Sequence, residues 1–267
     1  MQTPATNPHR VPPFDIRQAL VQRNLTIGSW LQLGSPGAAE ILANAGYEWL
    51  GLDCEHTAAS TEVIEQVSRA IHGRGPALLV RVTHCDTLEI RRALDVGANG
   101  IIVPLVESVD DARRAVAAAK YPPQGVRGYC FGRMNNWGVD FDSYAVQANN
   151  RTAVVLMIES RAGVENVDAI ASVPGVDGLF IGPYDLSGSY GIVGQMDHPL
   201  MKEARQRILN AARKAGISAG AHLVKSTVET YQEAIQDGLT FICLDGDIIF
   251  LERAAHNGIS YINHHSL

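Results

Sequence analysis

The sequence predicts an α/β fold: a (β/α)8 TIM barrel in a single domain, with a long insert before the fifth strand. Three observations lead there. Eight short apolar, β-branched runs alternate with eight helical patterns along 267 residues, the length of one such barrel. The runs have the composition of strands buried on both faces, as parallel strands are. No early GxGxxG turn is present to favour an open dinucleotide-binding sheet.

The Pro-rich, polar opening MQTPATNPHRVPPFD predicts a loose arm, with an entry segment running to residue 25. The barrel is expected over 26–258, beginning with strand 26–33 and helix 35–46, for which Ser35 is the N-cap, Pro36 the first position and Gly46 the stop. Strand 49–56, helix 60–72, strand 77–82, helix 86–95, strand 100–106 and helix 109–121 complete four βα units. From 122 to 150 the rhythm breaks into a Gly-, Asn- and aromatic-rich insert, expected to be a lid or a subunit contact and partly helical. Alternation then resumes with strand 153–158, helix 160–172, strand 178–182, helix 199–214, strand 217–221, helix 226–237, strand 240–244 and helix 246–257. Residues 259–267 are expected as a C-terminal tail.

With 46% hydrophobic and 19% charged residues the chain can bury a large core. A net charge of -6 and the lack of a basic run exclude a nucleic-acid partner and favour a small, possibly anionic, substrate drawn in by local arginines. No apolar stretch is long enough to span a membrane, and the first residues lack a signal-peptide apolar region, so the expected location is cytoplasmic. Cys54, Cys85, Cys130 and Cys243 show no CxxC spacing and are expected as reduced thiols.

Function is written at the strand ends, where barrel active sites sit. Strand 2 runs into Asp53, Glu55 and His56, strand 3 into Arg81, strand 5 into Glu159, strand 6 into Asp185, strand 7 into His222 and strand 8 into Asp245. Glu159 and Asp185, on neighbouring strands, project from one edge; two such carboxylates repel unless protonated or bridged, and a divalent cation is the usual bridge. Each residue also has a plainer reading. A single acid can cap a helix, the reading favoured for Asp245; Arg81 can form a structural salt bridge with Glu55; Asp53 can anchor hydrogen bonds; His222 can be a packed neutral imidazole. Trp30 is most simply a packing residue, with substrate contact the alternative, and Trp137 in the insert could close the site.

The segments DCEH, LLVRV, YPPQGVRG, MIES and GVDGLFIGPYDLSGSYGIVGQMDHP, in this order and spacing, resemble the HpcH/HpaI aldolases, the class II pyruvate aldolases. The resemblance covers about residues 26 to 255. It implies a barrel assembled as a trimer of dimers, a hexamer that exchanges its last helix, and carbon–carbon bond cleavage or formation between pyruvate and an aldehyde. It places Glu159 and Asp185 on Mg2+ or Mn2+, with Co2+ possible, and Arg81 over the keto oxygen. His56 takes the proton-transfer role with Glu55 beside it, and Asp95 matches an aspartate paired with that histidine. Asp95, at a helix end on the far face of its own barrel, would reach a histidine only across a subunit contact. Gly182, Pro183, Tyr184 and Asp185 form the turn expected to hold the substrate carboxylate through backbone amides. Two departures stand out: Met157 where many relatives carry Gln, and His222 where many have an apolar side chain near the acceptor aldehyde, which makes His222 a candidate substrate-binding residue for an unusual acceptor. Oxaloacetate decarboxylation, citrate-forming condensation, and an inactive metabolite-binding barrel are the alternatives.

Overall fold

The computed structural model describes residues 11–265. Eight parallel strands pair in chain order and close: β1 Thr26–Leu31, β2 Trp49–Asp53, β3 Ala77–Arg81, β4 Gly100–Val103, β5 Ala153–Ile158, β6 Gly178–Ile181, β7 Ser218–Leu223 and β8 Phe241–Gly246. The fold class is as the alternation predicted. Successive side chains point to opposite faces, so each strand feeds two cores. One, containing Leu50, Leu78, Ile101, Leu156 and Leu179, packs under the helices. The other fills the barrel with Trp30, Trp49, Leu79, Ile102, Val155, Met157, Phe180 and Phe241. Glycines make room for the large rings: a Cβ on Gly28 would lie 2.1 Å from the Trp49 ring, and one on Gly51 2.8 Å from Trp30.

The helices are α1 Ile16–Val21, α2 Pro36–Asn44, α3 Thr61–Ala70, α4 Thr87–Asp95, α5 Val109–Ala119, α6 Phe141–Arg151, α7 Arg161–Glu165, α8 Val167–Ala171, α9 Pro183–Ser189, α10 Pro199–Ala215, α11 Val228–Gln236 and α12 Asp247–His265. Side chains of Ser35, Ser60, Asp86, Ser108 and Thr227 accept amide hydrogen bonds at the starts of α2, α3, α4, α5 and α11.

The structure differs from the sequence reading in four places. Residues 16–21 form α1, whose Ile16 and Leu20 are buried against the barrel-filling core, so the entry segment plugs the barrel's N-terminal end. The insert is partly helical as expected, carrying a 3-10 turn, Arg133–Gly138, and α6. The helix expected over 160–172 is two, because Asn166 leaves helical geometry (φ -101°, ψ 2°) and its side chain donates to the Glu107 carbonyl. The turn after β6 continues as α9, which Gly and Ser had disguised and which Pro183 at its first position starts. Finally, α12 runs through the expected tail to His265; Gly258 lowers helix propensity without breaking the helix.

Candidate active site

The acidic and basic residues read from the strand ends meet at the C-terminal mouth of the barrel. Asp53, the last residue of β2, is fully buried; its Oδ1 and Oδ2 accept from Arg81 Nε and Nη2 at 2.9 and 2.6 Å. Oδ1 also accepts the amides of Glu55 and His56, at 3.0 and 3.3 Å. Asp53 is therefore the anchor that shapes the DCEH turn and sets the guanidinium. Glu55 lies 3.4 Å from Arg81 Nε and 3.6 Å from His56 Nε2, so the structural partner of Arg81 is chiefly Asp53 rather than Glu55. Arg81 also lies over the Trp30 ring, 4.9 Å from its centroid, which brings Trp30 from packing residue to part of the mouth.

Glu159 sits one residue beyond β5 and is 3% exposed. Its Oε1 accepts the amide of Leu105 at 2.7 Å. Leu105 adopts a left-handed backbone (φ 51°) in the β4–α5 loop, a contribution that nothing in the apolar run GIIVPLV signals. Asp185 lies in the first turn of α9, exposed to solvent. Gly182 lets the two carboxylate-bearing elements approach: a Cβ there would be 2.3 Å from Glu159 Oε2.

The charges do not balance. Asp53, Glu55, Glu159 and Asp185 are four carboxylates that interact around one guanidinium, Arg81. Burial first, and then the charges of Glu55 and Asp185, push Glu159 up to about 7 against the Leu105 hydrogen bond and Arg81. Burial raises Glu55 as well, although Arg81 and His56 oppose it. Burial works against Arg81's charge, yet its hydrogen bond and charge contact with Asp53, followed by Glu55 and Glu159, raise its pKa. A pocket with this surplus, lined by hard oxygen donors of which Glu55 Oε2 is buried without a hydrogen bond to a described residue, suits a divalent cation. Among the described residues no group of three or more His, Cys, Asp and Glu side chains could hold a metal, so Glu159 and Asp185 would supply only part of its shell.

His222 lies on the inward-facing register of β7, its ring 6.4 Å from Trp30. Asp245 is not the helix cap expected of it. It is buried on β8 with φ 47°; Oδ1 accepts the amides of Lys225 and Ser226, and Oδ2 pairs with Arg253 at 3.0 Å. Asp247 begins α12 instead and accepts the amides of Gln32 and Leu33. Asp95 stands apart at the end of α4, where the chain turns back to the N-terminal end of β4, and pairs with Arg127 at 2.7 Å. Trp137 is exposed in the insert.

A closed barrel with charged groups gathered at the C-terminal strand ends defines a (β/α)8-barrel enzyme. The chain belongs to the HpcH/HpaI aldolase/citrate lyase family, whose model matches residues 26–250. It is 35% identical over 237 residues to a 5-keto-4-deoxy-D-glucarate aldolase of Klebsiella pneumoniae, covering 88% of this chain and 91% of the other. An HpcH/HpaI aldolase/citrate lyase family protein from Burkholderia cenocepacia superimposes with a TM-score of 0.87 at 34% identity, over 94% of this chain and 99% of that one. The citrate synthase SbnG superimposes with a TM-score of 0.83 at 27% identity, over 93% and 97%. No helix among the described residues is long and apolar enough to cross a membrane.

Proposed function

We propose that the chain is a divalent-metal-dependent aldolase that cleaves or forms a 4-hydroxy-2-oxo acid from pyruvate and an aldehyde. The observation that carries this reading is the surplus of carboxylates around Arg81, with Glu159 raised to about 7 by burial first and then by the charges of Glu55 and Asp185. Glu159 and Asp185 would hold Mg2+, Mn2+ or Co2+, which when bound supplies Lewis acidity to the 2-oxo group. Arg81, locked by Asp53, stabilises negative charge on the enolate oxygen. His56, exposed on one side and 3.6 Å from Glu55, moves the proton of the C4 hydroxyl, and Glu55 orients it. In the first turn of α9 Pro183 has no N–H, and the amides of Tyr184 and Asp185 lack intrahelical acceptors and are free to receive the substrate carboxylate.

The chain's likeness to glucarate aldolases supports an aldehyde of sugar-acid type as acceptor. Exposed Leu251 and Ile259 on α12 support assembly into a homo-oligomer, in which Asp95 would act at a neighbour's His56. The likeness to citrate synthase SbnG favours a second reading, condensation on the same enolate. Met157, 3% exposed where the family resemblance expects Gln, motivates an inactive barrel as a third. A pyruvate-plus-aldehyde panel read by product mass, with and without each metal, tests the proposal. Metal-dependent adducts are expected. Release of CO2 from oxaloacetate without aldehyde-dependent turnover would point to the decarboxylase, and absent exchange of pyruvate methyl protons for deuterium with every metal would leave the inactive barrel.

A further inference from the structure

We infer that the N-terminal end of the barrel holds a second site, a cavity between α3, α6 and the insert that binds a small organic dianion with a carboxylate at each end. The inference does not depend on the chemistry of the mouth. The cavity has a volume of about 240 Å3, room for a chain of a few carbons. Its walls are the end of α3, the loop entering β4, the start of the 3-10 turn, the later turns of α6 and the segment around Val11. The first support is charge. Arg133, Arg151 and His72 line the cavity, and among the described residues no Asp or Glu does. The ten residues that precede Val11 contain no Asp or Glu either. In a chain of net charge -6, with carboxylates in excess at the other end, this is a local reversal of sign that favours an anion.

The second support is what these groups do and leave undone. Arg133 is fixed in advance: its Nε and Nη2 donate to the hydroxyl and the carbonyl of Ser68 at 3.2 and 3.1 Å, so a ligand need not order it. Asn99 Oδ1 accepts the amide of Leu78 at 2.8 Å, which leaves Nδ2 as a donor on the wall with no acceptor among the described residues. Arg151 stands in the last turn of α6, where a cation complements the partial negative charge of a helix end. That plainer role is already filled. Lys120 Nζ takes the carbonyls of Asn149 and Thr152, and Arg17 Nη1 takes that of Asn150. The end of α3 is likewise met by Arg74, whose Nε donates to the Ala70 carbonyl at 2.9 Å. Arg151 itself makes no ion pair or side-chain hydrogen bond with a described residue. Two guanidinium forks on separate elements, with an amide donor beside them, match an anion with two carboxylates better than one with a single charge.

The test is calorimetric titration of the full chain, in the presence of EDTA, with succinate and with acetate as a single-ended control. Succinate is expected to bind, and acetate to bind about tenfold or more weakly. Arg151→Met and Arg133→Met should each weaken succinate by about tenfold or more, with Arg151→Lys falling between wild type and Arg151→Met. Should Arg133→Met unsettle the insert, the variants at the exposed Arg151 carry the test alone. Amide hydrogen exchange with succinate bound should slow over residues 68–73 and 144–152. Absent succinate binding in the wild type, acetate binding as tight as succinate, wild-type affinity in Arg151→Met, or protection confined to the strand ends that carry Arg81 and Glu159 overturns the inference.

Discussion

At the scale of single residues, the decisive fact is that one buried acid, Asp53, holds Arg81 with two hydrogen bonds and organises the turn bearing Glu55 and His56. Removing the guanidinium would leave that acid charged and uncompensated in a buried place. Arg81→Ala is therefore expected to destabilise the fold by about 3 kcal/mol, read as a lower denaturation midpoint, as well as to slow turnover. A variant with wild-type stability would show that the pair carries no structural load. The sequence made Arg81 and Asp53 visible as charges at the ends of apolar strands, and it suggested the anchor role of Asp53. It could not show which acid pairs with Arg81, because Asp53 and Glu55 are two residues apart and a turn rather than a strand follows Asp53. Asp245 was misjudged for a related reason: an acid two positions before a helix resembles a cap, and only the tertiary packing of Lys225, Ser226 and Arg253 reveals its other work.

At the scale of elements, the strands were legible because burial on both faces demands apolar runs, and the capped helices because Ser, Asp and Thr precede their apolar periods. What stayed hidden were α1, too short for a periodic signal, and α9, whose Gly and Ser content reads as loop. The second omission matters for function, since α9 carries Asp185 and begins where Gly182 passes Glu159. Gly182→Ala is expected to push the Glu159 carboxylate aside, because the added Cβ would stand 2.3 Å from Oε2 and 2.8 Å from the Glu159 Cβ. Metal affinity should fall by about tenfold or more while the barrel's circular dichroism is retained; undiminished affinity would show that the carboxylate does not need its present position.

For the whole molecule, the barrel's two ends are charged in different ways. The C-terminal mouth has excess carboxylate, whereas the opposite end buries Lys120 and Asp177 beneath the core, with half-buried Arg17 pairing with Asp177 and Lys120 Nζ donating to the carbonyls of Asn149 and Thr152. Burial lowers Lys120 to about 8 from 10.5, despite Asp177. Below about pH 8 the fold bears the full cost of that charge; between the folded and unfolded pKa values the unfolded chain binds the extra proton, so stability rises with pH; above 10.5 the cost is gone. Relative to Lys120→Met, the wild type should gain on the order of 3 kcal/mol across that window in denaturant unfolding, and a gap independent of pH would contradict the burial of a charged amine. At the other end, Mn2+ binding followed by electron paramagnetic resonance in the wild type, Glu159→Gln and Asp185→Asn tests whether the two carboxylates hold the cation. The wild type should bind the ion and each variant should bind it about a hundredfold or more weakly; wild-type affinity in either variant would contradict the assignment of these two carboxylates as the cation's protein ligands.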